Sequence, residues 1–241
     1  MTTLTLKPML ALCRVSNLPT VWMNVLAAAL IAGAPPVSGA GPAIVLLAVA
    51  LSCLYCGGMA LNDLCDRQYD TLHQPFRPIP AGRISAGQAW GATALLFGTG
   101  MAALLLAPHQ AGFRAGLLLL AVIWAYDYVH KAWTASVLLM ALARLLVYLV
   151  VALALTGAIN GLVWLAAALQ ALYVLALTAV ARAEAHLPAG RYGWPLIPWL
   201  IALMPVLDGV MAAFWVDVRW LGAGLACAAL TRFGQRYVRG D

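Results

Sequence analysis

The sequence predicts an all-α fold, a polytopic membrane bundle of about eight transmembrane helices. Of its 241 residues, 64% are hydrophobic and 9% are charged, and the mean hydropathy is +0.91. A soluble domain usually carries about 25% charged residues. Stretches such as Leu117–Ala125 and Val137–Ala143 are apolar on every side, whereas a membrane β-barrel strand would alternate apolar and polar residues. The composition therefore excludes a soluble enzyme, a disordered chain and a secreted disulfide scaffold.

Residues 1–241 form a single predicted transmembrane domain, which consists of eight apolar segments. The segments are Leu18–Ala32, Pro42–Ala60, Gly87–Leu106, Gly112–Ala125, Ser136–Leu155, Gly161–Ala181, Trp194–Leu207 and Gly209–Leu230. Asp208 and the run Asp217–Arg219 are both candidates for the turn before the last helix, and the sequence leaves the choice between them open. Three prolines predict a kink in the seventh helix.

The basic residues are concentrated on one side of the predicted bundle. Cytoplasmic loops of membrane proteins are enriched in Lys and Arg. We therefore expect a bacterial-type inner-membrane protein with both termini on the cytoplasmic side. The residues on that side are Lys7, Arg14, Arg67, Arg77, Arg83, Lys131, Arg182, Arg191, Arg232, Arg236 and Arg239. The net charge of +6 does not predict nucleic-acid binding, since these residues form no soluble face. A signal peptide with a cleavage site at Ser38–Ala40 is the alternative interpretation of the first segment.

Acidic residues gather at the end of the second segment. Asp63, Asp66 and Asp70, with Asn62 beside them, are spaced so that all four share one face if the helix continues. Three of the chain's eight acids therefore lie together at a membrane boundary, where charge is costly. Carboxylates on one face repel one another unless a cation lies between them, and hard oxygen ligands suit Mg²⁺. The pattern favours a Mg²⁺ site on the cytoplasmic side over a solvated helix end.

A second motif, Arg77–Ser85, follows these acids. Its two prolines and its glycine predict a structured turn. Arg77 and Arg83 offer forked donors that suit phosphate oxygens. Beside a Mg²⁺ site, these arginines predict the second half of a diphosphate-binding site.

The two motifs resemble signatures of the UbiA superfamily of intramembrane prenyltransferases. Residues 62–70 match N-D-x-x-D-x-x-x-D, and residues 77–85 match R-P-[IL]-x-x-G-x-[IV]-S. Arg14 and Asn17 resemble part of the family's first helix. The resemblance implies a bundle around a central cavity, where Mg²⁺ and the acids bind the head of a prenyl diphosphate. It also implies transfer of the prenyl group to a small acceptor, a hydroxylated or aromatic ring.

Individual roles follow from the same resemblance. The implied Mg²⁺ ligands are Asn62, Asp63, Asp66, Asp70 and Glu184. The implied diphosphate ligands are Arg14, Asn17, Arg77, Lys131, Arg144 and Arg182, and the implied catalytic residues are Asp63, Asp66, Tyr126 and Lys131. Tyr126–Lys131 matches the family's Y-x-x-x-K element only loosely, because His130 occupies the position of the lysine. Arg144 lies within an apolar helix, where an arginine normally faces a polar cavity.

The chain departs from the family pattern at the second acidic motif. Of the expected acids, Ala181–His186 keeps Glu184 alone, between Arg182 and His186, so a second Mg²⁺ held by several carboxylates is not expected. We expect His186 to lie at the membrane interface. This Arg-x-Glu sequence and the Tyr126–Asp127 pair resemble the EboC-like branch, which implies a polar hydroxylated acceptor and an ether product. The alternative function is a prenyl-lipid-binding or transport protein on the same scaffold, with membrane lipid as a partner in either case.

Overall fold

The described part of the chain is entirely helical. The computed structural model describes residues 6–131, 133–185, 187 and 192–239, and the predicted positions of His186 and Arg191 lie outside them. Ten α-helices and no strand are found in these residues, which confirms the all-α prediction. The helices are α1 (Leu6–Leu12), α2 (Leu18–Ile31), α3 (Gly41–Cys65), α4 (Arg67–His73), α5 (Ala86–Leu105), α6 (Gln110–Val129), α7 (Val137–Thr156), α8 (Gly161–Ala185), α9 (Leu196–Trp215) and α10 (Trp220–Gly234).

Six of the helices in the described residues are long and apolar enough to cross a membrane, namely α3 and α5 to α9. The helix α2 with its preceding turn is apolar but shorter, and α10 has 15 residues. Large apolar side chains on the outer helices, including Leu95, Leu118 and Leu172, are exposed. A surface of this kind is stable in hydrocarbon, as expected of an integral membrane protein.

The bundle is organised around α2. This helix packs against α3, α7, α9 and α10, and it buries most of its residues. Ala27, Ala28 and Ala29 are fully buried, and small side chains let neighbouring helices approach closely. Around α2, the helix α3 packs on α5 and α6, while α7 packs on α6 and α8 and α9 packs on α8 and α10. The residues before α2 and after α10 therefore meet at one end of the bundle, as shown by the hydrogen bond from Gln235 to Asn17.

The loop between α4 and α5 is a structured turn. Backbone hydrogen bonds join Ala81 to Arg77 and Arg83 to Pro78, each at 3.0 Å. Gly82 has a φ of 67°, in the left-handed region that glycine adopts without a steric penalty. Ser85 then begins α5 with a capping box. This rigid loop holds Arg77 against the end of α3.

Of the two candidate turns before the last helix, the one at Asp217–Arg219 is confirmed and the one at Asp208 is wrong. Asp208 lies fully buried inside α9, and the chain turns instead at residues 216–219. Asp208 remains within the helix because partners on other helices satisfy its carboxylate, so it does not need the water of a membrane surface. In the true turn, an Asp217 carboxylate oxygen accepts a hydrogen bond of 2.9 Å from the Arg219 amide. Of the prolines in this region, Pro205 lies inside α9.

We predict that the packing of α9 on α10 makes Gly224 sensitive to a single methyl group. A Cβ there would lie 2.6 Å from the Pro205 carbonyl oxygen and 2.9 Å from the Gly209 Cα. Gly224→Ala should therefore lower the free energy of unfolding by about 1–3 kcal/mol. The control is Gly222→Ala on the same helix, where a Cβ would have nothing within 4 Å and helix propensity favours alanine. Thermal unfolding in detergent measures both, and equal midpoints would contradict this packing.

Candidate functional site

The four polar residues at the end of α3 point into the protein. Asn62, Asp63, Asp66 and Asp70 are all buried, whereas residues 67–69 are exposed. The helical path is nearly unbroken, because the Asp66 amide donates to the Asn62 carbonyl and the Asp70 amide to the Asp66 carbonyl, each at 2.9 Å. The three-and-four spacing thus places all four side chains on one inward face.

Two arginines neutralise two of the buried carboxylates. Arg77 donates to Asp70 at 2.7 Å and to Asp63 at 3.3 Å, and Arg14 donates to the same Asp63 oxygen at 3.1 Å. Gln74 accepts from the Arg77 Nε at 2.8 Å and fixes the plane of the guanidinium. The buried negative charges are therefore paired with cations from the segment before α2 and from the α4–α5 loop, as burial requires.

Asp66 is paired with the end of α6. The His130 Nε2 lies 3.1 Å from Asp66, and the Lys131 Nζ lies 3.3 Å from it and over the Tyr69 ring. Burial raises the pKa of Asp66, but the hydrogen bond and charge of His130 and the charge of Lys131 outweigh it and lower the pKa below its ordinary value. The same hydrogen bond raises the pKa of His130 despite its burial. The pair therefore favours an ionised carboxylate and a protonated imidazole.

A cavity of about 350 Å³, which we call the central cavity, lies next to these ion pairs, and Arg14 forms part of its wall. Its walls are mostly apolar side chains of α2, α3, α6, α7, α8 and α9. Its polar groups include Arg14, Asn17, Tyr55, Tyr126 and Asp127. The Asn17 amide donates to the Tyr55 hydroxyl at 3.3 Å, and the Asn62 amide donates to Asp127 at 3.1 Å. This cavity is an apolar chamber with a polar end.

Arg144 belongs to a polar network inside the membrane-spanning helices. It lines the central cavity and hydrogen-bonds the Asn24 side-chain oxygen, while the Asn24 amide donates to Asp208. Asp208 also accepts from the Tyr148 hydroxyl and from the Gln170 amide, each at 2.6 Å. The network joins α2, α7, α8 and α9 and provides the half-buried cation Arg144 with a buried anion, Asp208.

The retained residues of the second acidic motif have separate contacts. A Glu184 carboxylate oxygen accepts from the backbone amide of Tyr192 at 2.9 Å, and Arg182 donates to the Thr134 carbonyl at 2.6 Å. Within the described residues, Arg182 forms no ion pair with the acids at the end of α3, and no basic side chain bridges Glu184 to them. The structure thus brings Arg14, Arg77 and Lys131 to those acids, but not Arg182 or Glu184.

Sequence reasoning missed several polar residues of this region. The sequence distinguishes His130 only by its spacing from Tyr126, yet in the structure it contacts Asp66 as closely as Lys131 does. Asp127 lines the central cavity, and Asp208 anchors the network of Arg144. The available signal was the presence of polar side chains within apolar segments, which is itself an indication of function.

The acids suit Mg²⁺ in combination with a phosphate ligand rather than as a complete protein cage. Within the described residues, no group of three or more His, Cys, Asp or Glu side chains is arranged to hold a metal. Mg²⁺, however, commonly binds one or two carboxylates together with water and substrate phosphates. The Asp70 Oδ1 is buried without a hydrogen-bond partner, which leaves an oxygen donor available. The donor chemistry therefore fits Mg²⁺.

Comparison with known protein families gives a match over most of the chain. The family model described as "UbiA prenyltransferase family" matches residues 21–238. A 59-residue segment is 37% identical to digeranylgeranylglyceryl phosphate synthase of Saccharolobus solfataricus, over 24% of this chain and 21% of that protein. A 90-residue segment is 39% identical to the bacteriochlorophyll synthase 33 kDa chain of Rhodobacter capsulatus, over 35% and 28% of the two chains. The chain thus aligns with less than a third of the length of these curated relatives.

Solved structures share the fold of the whole bundle. A UbiA homolog from Archaeoglobus fulgidus, bound to DMAPP and Mg²⁺, has a TM-score of 0.61 at 17% identity and covers 96% of this chain and 99% of that chain. A second structure comes from work on the biosynthesis of digeranylgeranylglyceryl phosphate synthase in membranes. It has a TM-score of 0.63 at 15% identity, and the alignment covers 97% of this chain and 95% of that chain. At these identities, the similarity establishes a common helical architecture.

We predict that Asp208 stabilises the bundle by compensating the charge of Arg144. Asp208→Asn removes the negative charge and turns an amide toward the donating Asn24, so the free energy of unfolding should fall by about 3 kcal/mol or more. The matched control is Asp217→Asn, which removes an acid from the exposed turn before α10. Thermal unfolding and monodispersity in detergent measure the difference. Equal stability of the two variants would contradict a charge-compensating role.

Proposed function

Because the chain belongs to the UbiA prenyltransferase family, we propose that it transfers a prenyl group from a prenyl diphosphate to a small acceptor within the membrane. The observation that carries this proposal is the junction between the apolar central cavity and the charged cluster at the end of α3. A prenyl diphosphate has an anionic head and a hydrocarbon chain, and it matches both parts. The A. fulgidus homolog, solved with DMAPP and Mg²⁺, supports this choice of donor.

The donor's head would lie among the charges around α3. We assign the Mg²⁺ ligands to Asn62, Asp63, Asp66 and Asp70, with Glu184 contributing from the end of α8. Cationic and polar side chains would contact the diphosphate oxygens, namely Arg14, Asn17, Arg77, Lys131, Arg144 and Arg182. The bound cation supplies a Lewis acid that neutralises the departing diphosphate.

The ion pairs indicate how the site responds to its ligands. Arg14 and Arg77 are held by Asp63 and Asp70, so their guanidinium groups are already placed when the donor arrives. A diphosphate competes with these carboxylates for the arginines, because both anions accept forked hydrogen bonds. Carboxylate oxygens released in this exchange become available as metal ligands. Donor and cation should therefore bind cooperatively.

The central cavity accounts for the chemistry of transfer. The allylic C–O bond breaks, its electron pair leaves with the diphosphate, and an acceptor atom forms the new bond and then loses its proton. Apolar walls exclude water that would otherwise quench the allylic cation. Tyr126 lines this cavity beside Asp127 and stacks against His130, with the ring centroids 5.1 Å apart. It is placed to orient the reactants.

We assign a hydroxylated ring as the acceptor and an ether as the product. The polar side chains in the cavity wall support a polar acceptor, since Asn17, Tyr55 and Asp127 can each hydrogen-bond a hydroxyl group. The basic residues at the acidic end of the bundle support our proposal that this end and both termini are cytoplasmic. We place the protein in a bacterial-type inner membrane.

A prenyl-lipid-binding or transport protein is the second candidate. The reduced second acidic motif favours it, because Glu184 is the acid retained there and it accepts a backbone hydrogen bond from Tyr192. This candidate requires binding of a prenyl diphosphate without release of diphosphate. Mass spectrometry of the bound lipid after incubation with acceptors distinguishes an intact donor from a prenylated product.

Loss of a first-motif acid should abolish transfer. Asp63→Asn and Asp66→Asn each remove a charged metal ligand, so we expect pyrophosphate release to fall about 100-fold or more, and EDTA to have the same effect on the unsubstituted protein. The assay uses purified protein and a panel of prenyl diphosphates. Asp217→Asn, on the exposed turn, is the control that should retain activity. Unchanged turnover in both substituted proteins would exclude the proposed mechanism.

The depth of the central cavity should limit the length of the donor. Ala143 lines it on α7, so Ala143→Phe should reduce turnover of long prenyl diphosphates about tenfold while a five-carbon donor is less affected. Leu142→Phe, at the neighbouring exposed position, should leave the chain-length preference unchanged. Competition between donors of different length gives the preference directly. An equal loss for all donors, or no loss for any of them, would contradict a role of Ala143 in limiting chain length.

A further inference from the structure

A second cavity lies at the same end of the bundle. It has a volume of about 330 Å³ and is bounded by α1, the α4–α5 loop and residues 237–239. We call it the terminal cavity. Arg14 lines both this cavity and the central cavity, so its side chain forms part of the wall between them. The helix α3 also contributes to both cavities, but α1, the α4–α5 loop and residues 237–239 line the terminal cavity alone.

The charged groups of the terminal cavity are predominantly basic. They are Lys7, Arg14, Arg77, Arg83 and Arg239, with Asp63 as the acid among them. Asp63 already compensates Arg14 and Arg77 at 3.1 and 3.3 Å. Within the described residues, Lys7 and Arg83 have no carboxylate within 4 Å. Positive charge therefore exceeds negative charge in this cavity.

Neutral groups hold two of the cations in place. The Arg83 Nη2 donates to the Phe76 carbonyl at 3.0 Å, and the guanidinium of Arg239 lies over the Phe76 ring, 4.7 Å from its centroid. The Phe76 carbonyl orients the Arg83 guanidinium without cancelling its charge. Arg14 has a backbone φ of 45°. Among the described residues, every other residue with a positive φ is a glycine. Such a conformation persists where the surrounding structure enforces it, which is common at binding sites.

From this arrangement we propose that the terminal cavity binds a second phosphate group, at a site that borders the donor's diphosphate site at Arg14 and Arg77. In this site Arg83, instead of serving the donor, acts together with Lys7. Lys7 and Arg83 supply the uncompensated charge, and the forked donors of arginine suit phosphate oxygens. Two sources present this chemistry, a free phosphate or diphosphate ion and the headgroup of an anionic phospholipid. The proposal does not depend on prenyl transfer, since it concerns binding alone.

The arrangement also couples the two cavities through Arg14. An anion in the terminal cavity attracts the Arg14 guanidinium, which otherwise pairs with Asp63. Weakening that ion pair leaves the Asp63 carboxylate more available for a cation on the other side. Occupation of the terminal cavity therefore affects the charge balance at the end of α3.

The test compares anion binding by the full chain and by charge variants. Purified protein in detergent with EDTA, which keeps metal-dependent sites from contributing, is titrated with inorganic phosphate and with pyrophosphate. The same proteins are placed in nanodiscs of phosphatidylcholine with and without phosphatidylglycerol, and thermal unfolding is recorded. The variants are Lys7→Gln, Arg83→Gln and both together. Arg67→Gln and Arg236→Gln are the controls, because they remove exposed basic residues that do not line the terminal cavity.

We expect the double variant to raise the Kd of pyrophosphate about tenfold if free anions occupy the cavity. If a lipid headgroup occupies it, the stabilisation by phosphatidylglycerol should disappear instead. Each single variant should have part of the effect, and the single variants serve if the double variant does not fold. Equal behaviour of the variants and the unsubstituted protein with every probe overturns the proposal, and so does an equal loss in the controls. Prenyl transfer is measured separately, so its absence leaves this result interpretable.

Discussion

The compensation of buried carboxylates at the end of α3 organises this protein. Asp63 and Asp70 lie out of water, where an unpaired charge is very unfavourable. Arg14 and Arg77 neutralise them, and these arginines come from the segment before α2 and from the loop before α5. A buried charge cluster of this kind therefore fixes three separate parts of the chain against one another. It also places the Arg14 guanidinium in the wall of the central cavity.

The same constraint operates deeper in the bundle. Arg144 and Asp208 occupy membrane-spanning helices, and Asn24 hydrogen-bonds both of them. Tyr148 and Gln170 complete the surroundings of Asp208. Hydrocarbon cannot solvate these groups, so the polar side chains must converge from different helices. The network explains how α9 continues through an acid that would otherwise end a transmembrane segment.

Two cavities meet at Arg14, and their chemistry differs. The central cavity is apolar with a polar end, which suits an amphiphile that enters from the membrane. The terminal cavity lies among α1, the α4–α5 loop and residues 237–239 and is rich in cations. Arg14 and Asp63 connect them through one ion pair. On our proposal, an anion bound in one cavity changes the charge balance in the other through this ion pair, without any large movement of helices.

The sequence by itself determined the membrane-helical class and the family, because apolar segments and the motifs at residues 62–70 and 77–85 are local patterns. It also determined that the four polar residues of α3 share a face, since helical spacing fixes direction. Only the tertiary structure decided their partners. His130 contacts Asp66 together with Lys131. Asp208 lies buried inside α9 and does not mark a turn. These outcomes depend on side chains that lie far apart in the chain and meet only when the helices pack, so no local pattern contains them.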